Sequence, residues 1–265
     1  MKTYLMTRGT ARANDYQFIG DEPADRWWAP VADQVLMEEA ELIVAGRDGR
    51  LCFLLSGVPS ARRDVIGTEV RYTVVVEDVA ADLDVARKLL TAGLTDAGRA
   101  RFGELLDKSF GGTVVDEILG GAARADVPEL VGAALRELPG TPAPADGDDG
   151  PRSWAGPWEK PDALDTFRRR VERLAAGGDG YAFTTHLLST LKGAEAANAA
   201  VPDDVAILLV DGTVDRVTEL GKAGPGPGPG PGPAPGRRVT LVIGGLVMAA
   251  GALIWVLWWI ARRLF

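Results

Sequence analysis

From residue 69 to 77 the chain alternates, with Val70, Tyr72, Val74 and Val76 on one side and Arg71, Thr73, Val75 and Glu77 on the other. A repeat of two is the period of a half-buried strand. Shorter runs at 4–8, 41–45 and 51–55 share this character, and the last two flank Gly46-Arg47-Asp48-Gly49, a four-residue connection of hairpin type. The first 78 residues therefore predict an antiparallel sheet.

The period then changes. Leu83, Ala86 and Leu90, then Phe102, Leu105 and Leu106, then Val127, Leu130, Val131, Ala134, Leu135 and Leu138 fall at helical spacing. Asp126 with Glu129 and Thr113 with Asp116 stand as N-cap signals. Further on, Leu164, Phe167, Val171 and Leu174 repeat at three and four residues, behind Asp162 as a cap and before Gly177-Gly178 as a stop. A strand at 181–185, a helix near 188–199 and a strand at 205–210 follow.

Breakers divide this pattern. Residues 139–161 contain six prolines and an acidic, glycine-rich centre, and read as a linker. They separate an α+β domain, 1–138, from a small α/β segment, 162–222, that packs on it. Residues 224–236 alternate Gly and Pro, which supports neither a helix nor a sheet ladder, so 223–238 reads as a spacer. The last pattern is an unbroken apolar run, 239–260, opened by Val239 and closed by Ile260. As a helix it would be about 33 Å long, against a hydrocarbon core of about 30 Å. Trp255, Trp258 and Trp259 cluster near its end, followed by Arg262 and Arg263, as at a membrane interface. The expected class is thus α+β: an antiparallel sheet followed by helices, a small α/β appendage, a Gly-Pro linker and one C-terminal transmembrane helix. Gly245, Ala249 and Ala252 lie at i, i+4 and i+7, a small-residue face suited to helix–helix contact and a homodimer through the anchor.

Charge narrows the partners. Of 29 basic residues four lie in the tail beyond the spacer's start, which leaves 25 against 37 acidic residues in the head, a net of −12. Such a head repels nucleic acid and anionic lipid, so DNA and RNA are excluded as expected ligands. The N-terminal residues lack an apolar run of signal-peptide length, and the expectation is a single-pass protein in the cell membrane with its head in the cytoplasm. A lone cysteine, Cys52, fits a reducing compartment.

Motifs for chemistry are missing. With one histidine, His186, and one cysteine 134 positions away, a Cys-His pair has no supporting local signature, and G-x-S-x-G does not occur. The count excludes zinc sites built on several Cys or His ligands. Asp146, Asp148 and Asp149 begin like a calcium loop, but Gly150 and Pro157 fall where ligands are needed. The strand before Asp211 has no phosphate loop to serve. No catalytic residue, cofactor or metal is assigned.

Residues 4–9 with Asp15-Tyr16, followed by Arg63-Asp64-Val65-Ile66-Gly67 and Arg71-Tyr72, resemble the N-terminal domains of bacterial GTPase-associated conflict-system proteins. The resemblance implies an accessory of a defence or signalling locus whose cytoplasmic protein partner is a GTPase. Arg63, Asp64 and Arg71 are then candidate partner-binding residues, together with Trp154 and Trp158 of the linker. The expected function is a non-enzymatic adaptor bound to the lipid bilayer. A tethered enzyme using acids or Cys52, and an effector that perturbs the membrane, are the alternatives.

Overall fold

Among the residues that the computed structural model describes, 1–11, 15–140 and 142–221, nine strands pair into a single sheet. They are β1 (Lys2–Thr7), β2 (Gln17–Phe18), β3 (Leu42–Arg47), β4 (Arg50–Arg63), β5 (Glu69–Glu77), β6 (Trp154–Pro157), β7 (Gly180–Thr185), β8 (Val205–Leu209) and β9 (Thr218–Glu219). Their order is β2-β1-β5-β4-β3-β7-β8-β6-β9. Six helices accompany them: α1 (Leu83–Leu94), α2 (Asp96–Phe110), α3 (Val114–Leu119), α4 (Val127–Glu137), α5 (Pro161–Ala175) and α6 (Leu191–Ala200), with a short 3-10 helix at Ala29–Gln34.

The expected fold class needs correction. The sheet is mixed: β7, β8 and β6 run parallel, while every other pairing is antiparallel. No separate appendage exists, because β3 pairs with β7, with Ile43 opposite Phe183, and joins both halves into one sheet. No helix among the described residues is long and apolar enough to cross a membrane. The apolar run 239–260, with Trp255, Trp258, Trp259, Arg262, Arg263 and the small-residue face Gly245, Ala249 and Ala252, lies outside the described residues, as does the Gly-Pro tract.

Period-two patterning explains how the sheet carries two cores. Along β3, Leu42 and Val44 join one core and Ile43 and Ala45 the other; along β4, Phe53 and Leu55 oppose Cys52 and Leu54. The first core is closed by α1, α2, α4 and α5, through Leu89, Phe102, Val131 and Phe167. The second is closed by Trp27, Trp28 and Val31 around the 3-10 helix and by Ala194 and Ala197 of α6. β8 is buried on both faces, so Val205, Ala206, Ile207, Leu208 and Leu209 form one apolar run instead of an alternation.

Local chemistry sets the boundaries. Asp126 accepts a hydrogen bond from the Glu129 amide at 3.1 Å and caps α4 as its spacing predicts, worth about 1 kcal/mol. Thr113 does not cap α3 through its side chain, and Asp116 is turned away to accept from the Thr10 amide at 2.9 Å and its hydroxyl at 2.5 Å. α5 starts earlier than expected, at Pro161 with Lys160 as N-cap, because proline's fixed φ suits the first helical position. The β3–β4 connection is tighter than four residues: Asp48 and Gly49 both take positive φ, 52° and 72°, as a two-residue hairpin turn requires. Gly46 then belongs to β3, where a Cβ would lie 2.3 Å from the Gly178 carbonyl oxygen.

One edge of the sheet gathers most of the loops. The pairings place the ends of β1, β4, β7, β8 and β6 beside the starts of β3 and β5.

Candidate functional site

At that edge, where β4 turns into β5, the chain makes a tightly bonded tip. The Asp64 amide donates to the Thr68 carbonyl and the Gly67 amide to the Asp64 carbonyl, both at 3.0 Å. One carboxylate oxygen of Asp64 accepts from the Ile66 amide at 3.0 Å and the Thr68 amide at 2.8 Å, and Gly67 takes a positive φ of 85°. The other faces the Arg8 guanidinium at 3.0 Å. Burial alone would push the Asp64 pKa up, but the two amides and Arg8 together outweigh it and hold the carboxyl below its usual range. The stability this contributes is complete above the ordinary carboxylate pKa and is lost as pH falls through the depressed value. Arg63 braces the outside, donating to the Gly67 carbonyl at 3.0 Å and pairing with Glu69 at 2.9 Å.

This scaffold holds two aliphatic side chains in water. Val65 is 77% exposed and Ile66 83%. Leu36 and Leu187, also exposed, lie along the same edge, where the amide of Leu36 and that of His186 both reach the Glu41 carboxylate.

Behind the tip opens a cleft of about 550 Å3 lined by Arg8, Asp15, Tyr16, Glu38, Glu39, Thr68, Glu69 and Arg71. The Tyr16 hydroxyl accepts from the Arg71 amide at 3.1 Å, and the Arg8 guanidinium lies 5.6 Å from the centre of the Tyr16 ring. Arg71 donates to the Glu38 carbonyl and stands 3.7 Å from the Glu39 carboxylate. The wall formed by Glu38 and Glu39 rests on Gly57 and Ser56 of β4. Ser56 donates to the Glu39 carbonyl at 2.8 Å, and Gly57, at φ 62°, leaves only 2.5 Å between a would-be Cβ and that oxygen. Gly57→Ala is expected to cost about 1–3 kcal/mol and to loosen this wall. Faster hydrogen exchange at the Glu39 and Glu41 amides would report it.

Glu41, fully buried, fixes the neighbouring loop. Its carboxylate accepts from the Thr184 hydroxyl at 3.0 Å and the His186 amide at 2.9 Å, and lies 3.1 Å from His186 Nδ1. Cys52 takes no part. It pairs with Ala45, which pairs with Tyr181, five residues short of His186 and so about 17 Å along the strand. Burial pushes the Cys52 thiol's pKa up, away from the reactive thiolate. Among the described residues no group of three or more His, Cys, Asp and Glu side chains is placed to hold a metal ion.

The candidate partner-binding residues separate into two places. Arg63 and Asp64 build the tip and Arg71 lines the cleft, so these three converge with Arg8, Asp15 and Tyr16. Trp154 and Trp158 lie in and after β6, five strand spacings from β5, or about 24 Å. Trp154 is fully buried, with its ring edge-to-face on Phe167 at 6.4 Å, and is unavailable as a surface anchor. Trp158 is half-buried against the same core. Glu38, Glu39 and Glu41 carry no sequence signal. Val65 and Ile66 do, since aliphatic residues between Asp64 and Gly67 occupy a turn that is ordinarily polar.

No protein-family model matches the chain, and comparison with curated proteins and with solved structures found no match.

Proposed function

We propose that the domain is a non-enzymatic adaptor that docks a cytoplasmic protein at this sheet edge and, through the apolar run 239–260, brings it to a membrane. The observation that carries the reading is the pairing of a rigid, braced tip with two solvent-exposed aliphatic side chains, Val65 and Ile66, beside a polar cleft. A pre-ordered apolar tip loses little entropy on binding and suits association better than catalysis. The likeness of residues 4–9, 15–16 and 63–72 to GTPase-associated conflict-system domains makes a GTPase of a defence or signalling locus the first partner to test.

The test uses full-length protein in detergent with a purified GTPase of a bacterial defence or signalling locus. Val65→Asp with Ile66→Asp is expected to weaken binding at least about tenfold while stability stays within about 0.5 kcal/mol. Equal binding by the variant would exclude the tip as the docking element. Cell fractionation addresses the other half, with the intact chain expected to need detergent for release from the membrane pellet.

A further inference from the structure

We infer that the cleft receives a cationic side chain of the partner, an arginine or lysine whose aliphatic neighbour reaches Val65 and Ile66. This rests on the docking edge proposed above and adds the chemistry of what docks.

The described lining of the cleft holds uncompensated charge. Among the described residues, four carboxylates, of Asp15, Glu38, Glu39 and Glu69, line the cleft with two guanidinium groups. Both of those groups are already engaged. Arg8 is held by Asp64 at 3.0 Å, and Arg71 by the Glu38 carbonyl and the Glu39 carboxylate. Glu69 is met by Arg63 at 2.9 Å. Asp15 and Glu38 have no ion-pair partner among the described residues, so the cleft presents net negative charge to whatever enters. Among the described residues, an anionic or phosphorylated segment would meet these carboxylates with both lining arginines already ion-paired, inside a head carrying a net charge of −12.

A divalent metal does not answer the same charge, since the described carboxylates are not gathered as ligands. A guanidinium or ammonium can bridge carboxylates that are spread across a cleft, because its donors point in several directions. The volume, about 550 Å3, exceeds what a lone ion requires and falls within the range of clefts that take whole side chains. The exposed Val65 and Ile66 precede Thr68 of the lining by three and two residues in the same turn. The complementary segment is therefore basic and aliphatic together.

A randomised peptide display library, selected on the full-length protein in detergent, tests this without knowledge of the partner. Peptides with arginine or lysine next to an aliphatic residue are expected to dominate. Their binding should weaken about tenfold in Asp15→Asn with Glu38→Gln, and again as salt is raised. Enrichment of acidic sequences, absence of any enriched peptide, or equal binding by the charge variant would overturn the inference. Val65→Ser with Ile66→Ser separates the two levels. If it weakens binding and the charge variant does not, the docking edge stands and the cationic occupant falls; if neither weakens binding, both fall.

Discussion

Arg170→Ala is expected to lower the unfolding free energy by about 3–5 kcal/mol, the scale for removing one partner of a buried charged network. The side chain is 1% exposed and works as a clasp. Its Nε donates to Asp149 at 2.6 Å and Nη1 to the Arg152 carbonyl at 2.9 Å, while Nη2 is shared among the carbonyls of Asp149, Gly150 and Pro151. Burial pulls its pKa down from the ordinary arginine value and Asp149 opposes that; guanidinium basicity keeps the group charged at neutral pH. The clasp ties the segment ahead of β6 to α5. For a domain of this size the melting temperature should fall by about 10 °C. Arg170→Lys retains a charge but not the planar fork, and should recover only part of the loss. A change under about 1 kcal/mol in denaturant unfolding of Arg170→Ala would show that the clasp is not structural.

Trp154→Ala should cost a similar amount, about 3–5 kcal/mol, through the cavity it leaves between β6 and α5. The indole is wholly buried on Phe167, and its N–H donates to the Asp149 carbonyl at 3.1 Å. A surface anchor would behave in the opposite way, losing partner binding while stability held. Calorimetry alongside binding distinguishes the two, and unaltered stability in Trp154→Ala would restore the anchor reading. Because Trp154 and Arg170 grip the same Asp149, the double variant should lose less than the sum of the singles.

How far these features could be read in the sequence varies by element. The alternation in 69–77 became β5, but not a half-buried one, since Thr73, Val75 and Glu77 are buried beside Tyr72, Val74 and Val76 in a sheet covered on both faces; the helical spacing of Phe167, Val171 and Leu174 became the buried stripe of α5. β6 was hidden. Trp154, Ala155, Gly156 and Pro157 are too few to show a period, and the surrounding prolines outweighed them, although the strand is held by β8 on one side and β9 on the other. The mixed sheet was hidden for a related reason: nothing local to residues 42–47 announces that their partner is 180–185. Where β4 turns into β5, Arg8, Asp15, Tyr16, Asp64 and Arg71 belong to short motifs far apart in the chain, and the β1–β2, β1–β5 and β4–β5 ladders bring them together. Glu38, Glu39 and Glu41 look like any acidic run until Arg71 meets the first, Ser56 and Gly57 the second and His186 the third.

The ladder between β3 and β7 also has a consequence for synthesis. The strands lie 133 positions apart, from Arg47 to Gly180. On a ribosome adding about 5–20 residues per second, β3 waits about 7–27 s for its neighbour. Throughout that interval the side of β3 turned away from β4, between Ile43 and Gly46, offers free backbone hydrogen-bonding groups to any passing chain. A nascent polypeptide stalled before residue 180 therefore keeps that side of β3 unpaired, and yield in the cell should depend on how quickly translation clears that stretch.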